Sequence, residues 1–230
     1  MAEARRRAAE LTGATWILAR HQTAATGRRG RAWQNPAGNF SATLFLRPTA
    51  TAPADAALRS FTAAVALYQT LAMLVPPATL ALKWPNDVLL NGGKVAGILL
   101  ESAGRAGRVD WLSIGIGVNL GAAPAQERLE PDAMAPVALA DVTGRSIDPE
   151  TFLVWLAVHF DSLERTFGAQ GFEPIRRLWL RHAAKLGEVI TAKLGADRIT
   201  GTFDSVDAGG NLVVITPKGR ETIAAADVYF

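Results

Sequence analysis

The chain has no cysteine. That excludes disulfides, thiolate nucleophiles and cysteine-bound metal sites. Histidine is scarce as well: His21, His159 and His182 stand far apart, without the spacing a metal centre needs. Long apolar runs are missing. The best candidate, 61–75, is interrupted at Tyr68-Gln69-Thr70, and the opening "MAEARRRAAE" lacks the apolar core of a secretion signal. A cytoplasmic location is therefore expected. Charge of one sign is in small excess, with 24 Lys and Arg against 21 Asp and Glu for a net +3, which permits an acidic partner without demanding one. Internal repeats and low-complexity linkers are also absent.

What is present suits a folded α+β protein. With 230 residues, 49% of them hydrophobic, the chain can bury one large core and carry a small appended unit. Ala2 to Leu11 reads as a helix and Thr15 to Arg20 as a strand. "NFSATLFLRP" alternates as a strand that Pro48 stops, and Pro53 to Val75 has helical spacing up to Pro76-Pro77. Leu80–Trp84, Val88–Asn91, Lys94–Ser102 and Val109–Val118 are β-rich runs punctuated by "PND", "NGG" and "GRAGR", predicting a mixed or antiparallel sheet. Residues 121–136 read as a long loop, and Pro149–Phe167 and Gly171–Leu186 as helices. The rest is short strands joined by "GAD", "DAGG" and "PKG", the pattern of a small β-barrel. The expected units are thus 1–184 and 185–230. Trp111, Trp155 and Trp179 fall in apolar periodic contexts and are expected in the core.

Three strings carry chemistry. In "TAATGRRGRAW", glycines let backbone N–H groups approach an anion while Arg28, Arg29 and Arg31 offer forked donors for carboxylate or phosphate. The alternative is a solvated basic turn, and the Lys-Ser/Thr end of a Walker loop is missing. In "KWPNDVLLNGGKVAGILLES", a Lys, an Asn and an Asp sit at a turn between apolar strands, Lys94 opens the next strand, and Gly97 leaves room for a ligand. A polar hairpin with Lys94 on its rim is the competing interpretation. In "SIGIGVNL", Gly115 and Gly117 bare one strand face, so that something flat could lie there, although glycines also mark bulges.

Taken in this order, "QTAATGRRGRAW", "KWPNDVLLNGGKVAGIL" and "IGIGVNL" closely resemble the motifs of the biotin protein ligases, over nearly the whole chain. The resemblance implies a catalytic domain related to class II aminoacyl-tRNA synthetases followed by an SH3-like barrel. It implies a two-step reaction: biotin and ATP give biotinyl-5′-adenylate and pyrophosphate, and a lysine of a biotin carboxyl carrier protein then takes the acyl group. Mg²⁺ would come with ATP, with no protein metal ligands of its own.

By motif position, Arg28 and Lys94 would neutralise the carboxylate and the reacting phosphate. Gln22, Thr26, Gly27, Gly97 and Gly115 would face biotin; Arg31, Trp33, Asn86 and Asn119 would lie near the nucleotide. Asp87 would orient the acceptor lysine or a metal, and Arg29 would support the loop. The loops 23–33 and 121–135 are expected to close over the adenylate.

Two departures from the family pattern stand out. Ala25-Thr26 replaces a usual Gly-Arg, removing one cation. The family's Ser-Thr pair before the first helix is missing, because the chain starts at Met1 inside that region, so a product starting upstream is expected, which intact mass would test. No DNA-binding helix-turn-helix is expected within this sequence, no membrane association, and either a monomer or a homodimer. A lipoate or octanoate ligase on the related fold, or a nucleic-acid-binding module, are the competing functions.

Overall fold

The computed structural model describes all residues except Ala24, Arg31, Ala32, Ala50, 126–133 and Ala196, and of Arg29 the backbone alone. Six strands make the larger sheet: β1 (Thr15–Leu18), β2 (Phe40–Leu46), β3 (Leu80–Lys83), β4 (Asp87–Leu90), β5 (Gly93–Arg105) and β6 (Arg108–Val118). They run in the order β1-β2-β6-β5-β4-β3, and every pairing is antiparallel. The β4–β5 turn shows why the chain doubles back. Asn91 and Gly92 have φ of 50° and 79°, the two positive values that a tight hairpin turn demands and that Asn-Gly tolerates.

Alternation along the strands sorts the two faces. Ala42, Leu44, Val88, Ile98, Ile114 and Ile116 are buried. The helices that pack on the sheet are α2 (Pro53–Ala57), α3 (Arg59–Leu71) and α5 (Pro149–Gln170); α6 (Glu173–Arg181) packs on α3 and α5, with short α1 (Ala2–Arg6) and α4 (Leu139–Thr143) elsewhere. α3 is buried nearly all round, only Gln69 being partly open between Phe61 and Leu71, as expected of a helix held between sheet and other helices. Asp148 caps α5 by accepting the Thr151 N–H at 2.9 Å, with Pro149 in the first turn. Phe152 of α5 meets Phe40 of β2 edge-on, 5.0 Å between centroids.

Helix boundaries differ from the sequence-based expectation, α5 running to Gln170 rather than Phe167. α1 stops at Arg6 rather than Leu11. The single helix expected over 53–75 is two, divided at Leu58, whose carbonyl accepts the Phe61 N–H at 3.0 Å in a tightened turn; α3 then ends at Leu71. α6 ends at Arg181 instead of Leu186, because a sheet edge captures the chain: Leu82 N–H donates to His182 O at 2.7 Å and Ala184 N–H to Leu82 O at 2.8 Å. Edge groups of β3 are thereby satisfied.

The C-terminal strands β7 (Val189–Leu194), β8 (Asp197–Val206), β9 (Leu212–Thr216), β10 (Gly219–Ile223) and β11 (Asp227–Tyr229) form an antiparallel sheet ordered β10-β9-β8-β7-β11, with β10 and β11 at its ends. Trp179 carries the core into this sheet by packing against Phe203, and Trp84 Nε1 donates to Gly210 O at 3.0 Å. Of the tryptophans expected inside, Trp179 is buried while Trp111 and Trp155 are partly exposed. Among the described residues no helix is long and apolar enough to cross a membrane.

Candidate active site

On the sheet face turned away from the helices, one row of cross-strand partners runs Ser41, Gly117, Gly97, Asp87, Lys83. Polar and bare positions therefore line up across five strands. Lys94 joins this face through an irregularity. It lies three residues before Gly97, so regular alternation would turn it toward the helices. Instead the β4–β5 register shifts, pairing Val88 with Ala96 and Leu89 with Lys94 and leaving Val95 as the extra residue of a bulge. A bulge re-aims a side chain in this way. Val95 itself is fully buried, and its carbonyl accepts the Asn119 N–H at 2.8 Å.

A cavity of about 780 Å³ opens over this row. Arg28, Lys94 and Asp87 all line it, as do Gln22, Thr26, Gly27, Gly97 and Gly115, and Trp33, Asn86 and Asn119. Arg31 lies outside the described residues. Arg28 sits in a 3₁₀ turn, Arg28–Gly30. Gln22 is oriented by Ser41, whose hydroxyl donates to its Oε1 at 3.1 Å.

The glycines have a specific occupant. A Cβ on Gly117 would lie 2.7 Å from the Trp33 ring, and one on Gly97 would lie 3.3 Å from it, so the chain's own indole covers the bare face there. Met1 Sδ lies 2.7 Å from where a Gly115 Cβ would be. Trp33 in turn stands over Lys94, whose Nζ is 5.6 Å from the ring centroid.

Two amides that the sequence placed near a nucleotide are engaged with the protein itself. Asn86 Nδ2 donates to Ile98 O, stitching the β3–β4 turn to β5. Asn119 is buried, and its Nδ2 donates to Val137 O at 3.2 Å and Lys94 O at 3.4 Å. Around it, Lys94 N–H donates to Ala135 O at 2.8 Å and Val137 N–H to Lys94 O at 3.0 Å. The backbone of Lys94 is thus clamped from both sides.

Charge gathers in the same place. Lys94 Nζ lies 2.6 Å from Asp87 Oδ1, a short ion pair without hydrogen-bond alignment, and Lys83 Nζ lies 3.9 Å from Asp87 Oδ2. One carboxylate between two ammonium groups leaves positive charge uncompensated within that trio. Fixed cations in a recessed site stabilise anions that are brought together there.

Sequence reasoning did not assign Lys83, Ser41, Thr43 or the C-terminal contributors Lys185 and Asp227 to Phe230, all of which line the cavity. A signal existed for three of them: Lys83 is the lysine of the "KWPND" turn, and Ser41 and Thr43 alternate with Ala42 on an otherwise apolar strand. None existed for β11, which arrives from a different sheet.

The model of the biotin/lipoate A/B protein ligase family matches residues 1–119, and that of the biotin protein ligase C-terminal domain matches residues 185–230. The biotin--[acetyl-CoA-carboxylase] ligase of Paracoccus denitrificans is 51% identical over 230 residues, 100% of this chain and 95% of that protein. The bifunctional ligase/repressor BirA of Bacillus subtilis is 32% identical over 217 residues, and the match spans 93% of this chain but 65% of the longer relative. Among solved structures, the biotin protein ligase from Aquifex aeolicus in complex with biotin and ATP shares the fold with a TM-score of 0.81 at 23% identity, covering 95% of this chain and 90% of that one. The Leishmania major biotin protein ligase in complex with biotinyl-5-AMP gives 0.67 at 24% identity, covering 97% and 93%.

Proposed function

The chain belongs to the biotin/lipoate A/B protein ligase family, and from that premise we propose that it is the ATP-dependent ligase that forms biotinyl-5′-AMP and transfers biotin to a lysine of a biotin carboxyl carrier domain. The end-to-end likeness to a named biotin--[acetyl-CoA-carboxylase] ligase supports the biotin branch over the lipoate one. The observation that carries the reading is the convergence of Arg28 and Lys94, from distant parts of the chain, on one cavity.

The chemistry requires that convergence. A carboxylate must approach a triphosphate, and two unit charges ~4 Å apart repel by about 4 kcal/mol at an effective dielectric of ~20. Arg28 and Lys94 offset that repulsion and stabilise charge that develops at the α-phosphorus. The biotin carboxylate oxygen attacks phosphorus and pyrophosphate leaves. Gln22, Thr26 and Gly27 hold the acid, and Trp33, seated on Gly97 and Gly117, shields the reacting end. Arg31 completes the nucleotide side. Asn86 and Asn119 act on it by fixing the backbone that carries Lys94, given where their amides bond. Mg²⁺ would come with the ATP phosphates and would add positive charge at the reacting phosphate. In the second step the acceptor amine attacks the acyl carbon near Asp87, and AMP leaves.

Exchange of labelled pyrophosphate into ATP tests this directly. It is expected with biotin and not with lipoate or octanoate; exchange driven by lipoate alone would overturn the reading.

A further inference from the structure

Transfer has a requirement that adenylate formation lacks. A carrier lysine is an ammonium at neutral pH, and only its neutral amine attacks an acyl phosphate. Lys83 stands where this matters. Its side chain is only 12% exposed, at the end of β3, paired across from Asp87. Lys83 Nζ stands 3.9 Å from Asp87 Oδ2, beyond hydrogen-bond reach, and Lys94 Nζ 2.6 Å from Oδ1 in an ion pair without hydrogen-bond alignment. Asp87 thus meets both ammonium groups as a charge, with no hydrogen bond from Lys83 to Oδ2 that an incoming N–H would have to displace.

Among the described residues, the charged neighbours of Lys83 face the same cavity. These are Asp87 on β4, Lys94 on β5, Arg28 in its 3₁₀ turn and Asp227 on β11. The Phe230 ring lies 5.7 Å from Lys83 Nζ and 6.0 Å from Lys185 Nζ, and Lys185 pairs with Glu188 at 2.8 Å. Burial pushes the Lys83 ammonium below the usual lysine value; Asp87 and Asp227 hold it up, and Lys94 and Arg28 push it down. Three cations thus face two carboxylates.

We propose that Lys83 is a positioning residue for the transfer step: its charge beside Asp87 Oδ2 lowers the proton affinity of the acceptor amine, which reaches the acyl carbon uncharged. This rests on the ligase reading above. The acceptor ammonium gives its first proton to water on entry. Its nitrogen then forms the N–C bond, the bond between the acyl carbon and the phosphate oxygen breaks with its electron pair leaving on AMP, and the second proton passes to Asp87 Oδ2 and on to water.

The experiment is single-turnover transfer of preformed biotinyl-5′-AMP to a carrier domain, from about pH 6 to about pH 10, a range spanning the shifted and the ordinary lysine pKa. Removing a like charge moves a neighbouring pKa by about one unit, so Lys83→Met and Lys83→Gln are expected to raise the pH midpoint by about that much, slowing transfer about tenfold below it. Lys83→Arg stays charged across the whole range, whereas burial lowers the pKa of the Lys83 ammonium, so the midpoint of that variant is expected at or below the wild-type one. A wild-type midpoint in both neutral variants would overturn the proposal. Absence of biotin-dependent pyrophosphate exchange in the wild-type protein would overturn the ligase reading instead, and this inference with it.

Discussion

The two faces of the six-stranded sheet treat buried charge in opposite ways. On the helix side, Arg59 of α3 meets Glu164 of α5 at 2.7 Å, with side chains 10% and 26% exposed, and the guanidinium stacks over Phe167 at 4.8 Å from the centroid. Charge there is matched one to one and sealed. On the cavity side, Asp87 answers both Lys83 and Lys94, and Arg28 and Asp227 line the same wall, so that three cations meet two carboxylates among the described groups around Lys83. The contrast separates structure from chemistry. Matched charge ties two helices together, whereas a cationic surplus costs stability unless an anion arrives.

The cationic surplus carries the largest expected effect. Lys94→Ala is expected to cut biotin-dependent pyrophosphate exchange by about 10²–10³, the usual effect of removing one fixed donor from developing charge, without loss of fold. Arg28→Gly should be far harsher than Arg29→Ala; equal exchange rates for these two would undo the assignment. On the sealed face, Glu164→Ala leaves Arg59 buried without its partner and is expected to cost about 3 kcal/mol in urea unfolding, with exchange per folded molecule unchanged. A smaller cost falls on the glycine floor. Gly117→Ala sets a methyl 2.7 Å from Trp33, and tryptophan emission should shift as the indole moves, with biotin bound about tenfold more weakly.

The smallest effect is a slope with pH. Burial holds the Glu164 carboxyl above its ordinary 4.5, against the opposing charge and hydrogen bond of Arg59. Between 4.5 and that raised value the folded chain binds more protons than the unfolded one, so stability falls as pH rises through the window. Glu164→Gln is expected to remove this slope from a urea series across weakly acidic pH; an unchanged slope would assign it elsewhere.

Much of this was legible in the sequence because local chemistry and tertiary placement agree. "NGG" demanded a tight hairpin and the fold has one, and the strings around Arg28, Lys94 and Gly117 do meet at one cavity. What alternation could not supply is the face on which Lys94 lies, since the bulge at Val95 breaks the two-residue rhythm. Nor could it show that Gly117 makes room for Trp33, a contact between segments more than eighty residues apart. α6 ran on past Arg181 in the periodic reading because apolar spacing says nothing of a vacant strand edge nearby. Lys83 stands at the "KWPND" turn in the sequence without a role for a similar reason: its partners lie on β4, β5, β11 and the Arg28 turn, which only folding brings within reach.

The clamp on Lys94 has a practical consequence for anyone grafting loops among related ligases. Its peptide group is held by Ala135 and Val137 while its ammonium works in the cavity, so a splice made at 134–138, some forty positions downstream in the text of the gene, would retune this fixed cation as surely as replacing it.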